Sequence, residues 1–433
     1  MDHSKNTQEN TTTLTTIRGM RDILPDETPL WARLEQVARD IFGRYGYREL
    51  RTPILEKSGL FARAVGETTD IVEKEMYTFA DRNGDSLTLR PEGTASVVRS
   101  FIEHGMDRQL PWRVFYMGPM FRYERPQKGR YRQFHQIGCE LFGPATAVAD
   151  AEVMSMVMSY LRAVGVSSQL TLEINSLGCP SCRPAFRQSL TDYFSALKSN
   201  LCEDCQRRLE RNPLRILDCK QEQCRELSRN SPHTGQHLCG GCEEHFTSVR
   251  GFLDGLSQPY QVNNHLMRGL DYYTRTAFEV TTLQLGAQNT VAAGGRYDQL
   301  VADMGGPATP AVGFAMGVER LALLLAGQDT VKPPLVYVAT LGPAAVLLGL
   351  QLAEALRGCG VGVELALAGG SLKSQMKKAD RCGAAHTVIL GDEEATHRTL
   401  LIREMATGEQ RRLDYQEGLH FLAAGFGMGG MVP

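Results

Sequence analysis

The chain has almost no net charge: 47 Lys and Arg against 49 Asp and Glu leave −2 over 433 residues. That balance excludes a blanket attraction to nucleic acid, so any RNA contact has to use a local basic patch. Long apolar runs are missing too, and none approaches the ~18 residues that a membrane span needs. The opening residues are polar and have no apolar core, so no secretory signal is expected. These absences predict a cytoplasmic protein whose 11 cysteines stay reduced. Two nucleotide-binding devices are absent as well: a GxxxxGK[ST] phosphate loop, and a GxGxxG fingerprint joining a strand to a helix. What remains is ordinary globular material, 42% hydrophobic and 22% charged, and long enough for two or three domains.

The most informative stretch is YMGPMFRYERPQKGRYRQFHQIGCELFG, Tyr116 to Gly143. It crowds Arg122, Arg125, Lys128, Arg130 and Arg132 together, with Pro126 and Gly129 as turn residues between two apolar runs. The pattern predicts a β-hairpin with a basic loop. Residues two apart share a strand face, so Arg122 with Glu124, and Gln136 with Gly138 and Glu140, form polar stripes. Guanidinium forks mixed with carboxylates suit a zwitterionic substrate beside a polyphosphate.

This segment resembles the second signature motif of class II aminoacyl-tRNA synthetases, in the form found in histidyl-tRNA synthetases. Four more segments resemble the same family in the same order: LRPEGTASVVR (Leu89 to Arg99), MRGLDYYTRTAFEV (Met267 to Val280), AAGGRYDQL (Ala292 to Leu300) and AVGFAMGVERL (Ala311 to Leu321). The resemblance implies an α/β chain with an α+β catalytic domain, an antiparallel sheet flanked by helices. It also implies ATP with Mg2+, L-histidine and tRNA(His) as substrates, and a homodimer. A helix beginning near Pro29, with candidate caps Asp26 and Thr28, and the extended segment Arg51 to Glu56 resemble the family's dimer-forming first motif. The HIGH and KMSKS signatures of the class I synthetases are missing.

Amino-acid activation brings a carboxylate to the α-phosphate of ATP, so the site needs cations where charge develops and does not need a protein nucleophile. By resemblance Arg122 bridges the α-phosphate and the substrate carboxylate, and Arg268 lies against the α-phosphate from the other side; these are the catalytic candidates. Arg320, Arg130 and Glu124 complete the ATP set. Histidine carries donors at both ends, and the resemblance puts Glu92, Gly93, Thr94 and Gln136 toward its ammonium, Glu140 and Tyr273 toward its imidazole, and Tyr272 and Tyr297 in the pocket wall. Gly294, Gly295, Gly313 and Gly317 are expected where backbone approaches closely. No residue stands out as the base for transfer to tRNA.

The expected division is a lead-in (1–16), a catalytic domain (17–326) interrupted by an insertion (175–256), a linker (327–334) and an anticodon-binding domain (335–433). In the last, LVYVAT, VGVELAL and HTVILG read as buried parallel strands, with helices at 344–357 and 372–382. The insertion holds Cys179, Cys182, Cys202, Cys205, Cys219, Cys224, Cys239 and Cys242, mostly in CxxC knuckles suited to structural zinc. Spacing leaves the pairing between knuckles open. Because the arginines lie outside the insertion, metal loss there is expected to leave histidine activation largely intact. A competing reading is the non-catalytic, synthetase-like regulatory subunit of ATP phosphoribosyltransferase, which shares the catalytic fold.

Overall fold

A computed structural model describes residues 14–66, 69–166, 170–219, 221–286, 289–327 and 335–425. Most of the expected lead-in (1–16) and linker (327–334) lies outside the described residues. The chain divides into two compact units between Gln328 and Asp329.

The first unit is built on an eight-stranded sheet. In chain order its strands are β1 (Arg48–Glu49), β2 (Trp112–Phe121), β3 (Gln133–Phe142), β4 (Leu170–Ser176), β5 (Gln261–Val262), β6 (Thr274–Thr282), β7 (Thr290–Arg296) and β8 (Ala311–Gly317). Their spatial order is β1-β2-β3-β8-β7-β6-β4-β5. All central pairs are antiparallel, and only the two-residue edge strands β1 and β5 run parallel to their neighbours. The predicted hairpin is β2–β3, with Arg122 and Glu124 just past the end of its first arm.

Alternation along the strands sorts this sheet into two faces. Ile137, Cys139 and Leu141 of β3 and Val312, Phe314 and Met316 of β8 enter the main core. There they pack with Leu34 and Phe42 of α1 (Thr28–Arg44) and with Met154 and Tyr160 of α2 (Ala147–Ala163). Each such fully buried large apolar side chain contributes about 1.5–3 kcal/mol. The intervening residues Gln136, Glu140 and Gly313 face a cleft on the opposite side. The expected caps of α1 do not form. Glu27 is the capping residue and makes no side-chain capping bond, its carboxylate accepting from Arg21 instead, and the Thr28 hydroxyl donates to the Pro25 carbonyl (3.1 Å). The Arg51 to Glu56 segment joins a strand only at its end, where Leu55–Lys57 pairs with Leu87–Leu89 in a separate three-stranded sheet completed by Tyr77–Ala80.

Within 175–256, Asn175 and Ser176 still belong to β4, while Phe186 to Cys224 contribute a small core of their own. That core is carried by α3 (Arg183–Ser195), α4 (Glu203–Arg211) and α5 (Glu222–Ser228). The following helix α6 (Gly240–Gly255) returns to the main core through Val249 and Leu253.

The second unit holds the expected strands β9 (Leu335–Thr340), β10 (Gly362–Leu365) and β11 (Ala384–Leu390), mutually parallel in the order β10-β9-β11. Helices Pro343–Gly358 and Leu372–Cys382 fall where their pattern puts them. The sheet is nevertheless mixed, because β12 (Thr399–Glu404) and β13 (Gln410–Asp414) add antiparallel, and helix Tyr415–Gly425 follows. Both added strands are rich in charge, which hides them from a search for apolar runs. Among the described residues no helix is long and apolar enough to cross a membrane.

Candidate active site

The sheet's open face, the segment before β6 and the first turn of the helix Thr94–Glu103 enclose a cleft of about 810 Å³. One end is acidic and aromatic. Glu92 precedes the helix, and its carboxylate accepts the backbone N–H of Thr94 (2.9 Å) and of Ala95 (2.6 Å). Those bonds satisfy N–H groups that a helix start leaves unpaired, and the helix dipole favours the negative charge. Burial nonetheless raises the Glu92 pKa above the ordinary carboxylate range, with the two N–H bonds and Arg122 opposing. The Thr94 hydroxyl reaches Glu140 (2.7 Å), and the Tyr297 hydroxyl donates to the other Glu140 oxygen. Glu140 is 1% exposed. Burial pushes its carboxyl up to about 8, against the pull of these two hydroxyls. Tyr272, Tyr273 and Tyr297 form one aromatic cluster, with ring centroids 4.7–6.5 Å apart. Gln136 points an unpartnered, buried Oε1 into this region.

Two glycines make the packing possible. A Cβ at Gly313 would stand 1.7 Å from Glu140 Oε2, and one at Gly138 would stand 2.5 Å from the Tyr116 ring. Gly294 likewise leaves room for the Gly313 carbonyl, whereas a Cβ at Gly317 would make only ordinary contacts.

The other end is cationic. Arg122, Arg130, Arg268 and Arg320, drawn from three separated motifs, all line the one cleft. Arg122 donates through Nε to the Pro91 carbonyl (2.8 Å) and lies over the Phe134 ring. Arg130 pairs with Glu124, which also faces Arg122 at 3.9 Å. Arg268 pairs with Glu279 and lies over Tyr273, and Arg320 donates to the Thr290 carbonyl. Burial lowers the pKa of Arg122, Arg130 and Arg320, and each is lowered further by a neighbouring arginine. Arg268 is the exception: burial opposes its charge most strongly, but Glu279, Tyr273, Tyr272 and Asp218 together outweigh it and raise the pKa. Mutual repulsion among buried guanidiniums is a cost that a polyanion removes.

All the candidate side chains of the histidine and ATP sets are thus gathered around one cleft, with Gly93 capping the helix that carries Thr94. Glu279, which holds Arg268, was not singled out from the sequence. Its signal was available, since Glu279 and Thr281 alternate with the buried Phe278 and Val280 along β6 and both line the cleft. Asp218 was also missed; it lines the cleft from the cysteine-rich segment and raises the pKa of Arg268 and Arg130.

The eight candidate metal ligands resolve into two tetrads, Cys179, Cys182, Cys239, Cys242 and Cys202, Cys205, Cys219, Cys224. All eleven cysteines are free thiols. Within each tetrad the sulfurs lie within 4.8 Å of one another, and separations of 3.6, 3.8 and 3.9 Å occur. A tetrahedral Zn–S bond of about 2.3 Å gives an S···S edge of about 3.8 Å, far above the ~2.05 Å of a disulfide. In each tetrad a backbone N–H points at a sulfur: Cys239 at Cys182 (3.1 Å) and Cys202 at Cys224 (3.3 Å). Such bonds stabilise thiolate ligands.

Comparison with known proteins gives the chain's relatives. The model of the histidyl-tRNA synthetase family matches residues 19–181 and 221–321, and that of the anticodon binding domain matches 335–424. The histidine–tRNA ligase of Geobacter sulfurreducens is 52% identical over 92% of this chain and 96% of its own, and that of Geobacter metallireducens 50% over the same shares. The crystal structure of apo S. aureus histidyl-tRNA synthetase superposes with a TM-score of 0.79 at 35% identity, covering 95% of this chain and all of that one. A Bacillus halodurans structure described as an ATP phosphoribosyltransferase regulatory subunit/histidyl-tRNA synthetase matches at 22% identity and TM-score 0.64, a likeness in fold alone.

Proposed function

The chain belongs to the histidyl-tRNA synthetase family, and from that premise we propose how its cleft activates L-histidine with ATP and passes it to tRNA(His). The single observation that carries this reading is the convergence of four arginines at one end of a cleft whose other end is Glu92, Glu140 and tyrosine. ATP arrives as its Mg2+ complex, and the arginines share its charge. The histidine carboxylate attacks the α-phosphorus, and pyrophosphate departs. Arg122 and Arg268 meet the negative charge that grows on the α-phosphate, while Arg320 and Arg130, the latter held by Glu124, grip the distal phosphates. Pairing with Glu279 keeps Arg268 charged and in place.

At the other end Glu92, Thr94 and Gln136 accept the α-ammonium, and Glu140 with Tyr273 meets the imidazole. An amino acid without an imidazole N–H leaves the buried Glu140 with its two hydroxyl donors but no substrate donor, which discriminates without an editing site. The exposed Arg125 and Lys128 of the hairpin loop meet the acceptor end of the tRNA. The second unit reads unpaired anticodon bases, which are open to stacking and edge contacts. The tRNA 3′ hydroxyl then displaces AMP from the adenylate.

The enzyme acts as a homodimer in the cytoplasm, where tRNA and ATP are found. Exposed Ile54, Leu55 and Phe79, on or beside the three-stranded sheet, supply apolar surface for a second copy. The two cysteine tetrads each hold zinc, which closes loops around a small core. The non-catalytic regulatory reading is not favoured, since a subunit without chemistry needs neither the opposed arginines nor a domain matched to anticodon binding. The decisive test is Arg268→Ala in histidine-dependent ATP–pyrophosphate exchange. Losing one such donor is expected to slow exchange by about a hundredfold or more. Near-normal exchange would remove Arg268 from the reaction.

A further inference from the structure

The tetrad Cys202, Cys205, Cys219 and Cys224 is not remote from the chemistry. Cys219 and its neighbours Leu217 and Asp218 form part of the wall of the cleft that contains Arg268 and Glu140. A Cβ on Gly269 would lie 3.8 Å from the Asp218 carboxylate, which brings an acidic group beside the segment that carries Arg268 and Tyr273. Two residues before Leu217, Arg215 pairs with Asp271 (3.1 Å) in that same segment. No β-ladder holds Leu217 to Cys219; the stretch follows a single short turn, Pro213–Ile216. Beyond two turn hydrogen bonds, the charge of Asp218 and the small core, its position depends on what Cys219 is tied to.

We propose that Cys202, Cys205, Cys219 and Cys224 bind a Zn2+ ion that fixes this wall of the amino-acid cleft, so that metal occupancy sets how well histidine is held. The proposal deepens the reading of the cleft as a histidine-activation site and rests on it. The geometry fits the ion: three of the four sulfurs are buried, all lie within 4.8 Å of one another, and the backbone N–H of Cys202 supports the Cys224 sulfur. Without the ion the tie that Cys219 makes to the other three sulfurs is lost, and the wall keeps only weaker anchors, among them the Arg215–Asp271 pair, the charge of Asp218 beside Arg268 and Arg130, and the small core. Substrate binding then has to order Leu217 to Cys219 as well, which weakens binding. Arg122 and Arg320, mounted at the end of β2 and after β8, keep their places, so the chemical step is affected less. This reverses the expectation that metal loss in the insertion leaves histidine activation intact. The other tetrad joins the end of β4 to the start of α6 and makes no part of the cleft wall.

The test uses the full chain purified without added zinc. Elemental analysis is expected to find two zinc ions per chain, one for each tetrad, and one in the C202S/C205S double variant. In pyrophosphate exchange that variant's KM for histidine should rise about tenfold, with a smaller change in kcat. Hydrogen exchange should quicken in Leu217 to Cys219. Should the variant fail to fold, stepwise removal of zinc from the wild type with a chelator, and its return as Zn2+ alone, gives the same comparison. A KM that tracks zinc content supports the proposal. Absence of zinc, or a KM for histidine that stays flat as zinc is lost, overturns it. Failure of the wild type to exchange pyrophosphate with histidine would instead overturn the underlying reading, and zinc content remains measurable in that case.

Discussion

Asp150 and Glu140 are both carboxylates shut away from solvent on the same scaffold, yet their surroundings differ in kind. Asp150, on α2, is met by Arg296 Nε at 2.9 Å, the Thr276 hydroxyl at 2.5 Å and His245 Nε2 at 2.7 Å. The same Arg296 donates to the carbonyls of Pro144 (3.0 Å) and Thr146 (3.2 Å) and to Asp298 (3.0 Å). Every charge there has its complement, and the cluster ties α2 and α6 to β6 and β7. Glu140 has two hydroxyls and no cation, with a second carboxylate, Glu92, among the groups that raise its pKa. The cleft's Arg122, Arg130 and Arg320 each have their pKa lowered by burial and by a neighbouring arginine instead. A buried polar cluster that completes itself holds a fold together, and one left incomplete is waiting for a ligand.

The largest expected effect falls on the completed cluster. Asp150→Ala leaves the buried guanidinium of Arg296 with Asp298 alone as counter-charge, and removing one partner of a buried pair costs about 3–5 kcal/mol. Urea unfolding of the variant should show that loss in its midpoint. A shift below ~1 kcal/mol would mean that the cluster is not the clamp described here.

The incomplete cluster should answer in the opposite way. Arg122→Ala removes a cation that stands near other cations, so stability should move by less than about 1 kcal/mol. Activation of histidine should nonetheless slow by about a hundredfold, because the lost charge is needed only as the α-phosphate becomes more negative. Measuring both quantities on one preparation sharpens the contrast with Asp150. Equal losses of stability in the two variants would erase it.

Much of this arrangement was legible in the chain. Alternation in Gln136, Gly138 and Glu140 marked one strand face, and apolar strand feeding helix described Ala311–Gly317 running into Val318–Leu324. Local pattern does not say what meets across the sheet. Glu279 and Arg268 pair because of the fold of β6 and the loop before it, and neither residue type nor spacing encodes that meeting. The same holds for the cysteines: CxxC spacing identifies knuckles, but the close sulfurs 57 and 60 residues apart depend on the path of the helices between them. The strands Thr399–Glu404 and Gln410–Asp414 were missed for a different reason. Thr399–Glu404 ends in two charged residues and Gln410–Asp414, the edge strand, is mostly charged and exposed, so neither reads as a buried apolar run.

The smallest effect distinguishes the two carboxylates by pH. Asp150 has its pKa lowered, since Arg296 and His245 outweigh burial. Its contribution to stability is therefore present above the unfolded carboxylate range and is lost as pH falls through the folded value. Glu140 has the opposite sign. Its folded pKa of about 8 lies above its unfolded value, so the folded state binds the extra proton between the two. The stability it contributes is complete below the unfolded pKa and fades as pH rises toward 8 and through it, with a slope of at most about 1.4 kcal/mol per pH unit. Glu140→Gln keeps the shape and removes the titration. Unfolding midpoints of the ligand-free protein, taken from pH 5 to 9, should therefore fall more steeply for the wild type than for this variant. Saturating histidine should flatten the wild-type profile as well, because an imidazole N–H against Glu140 stabilises the carboxylate and draws its pKa down. Parallel profiles for wild type and Glu140→Gln would show that Glu140 is ionised throughout, and with it that its end of the cleft is not the incomplete cluster the contrast requires.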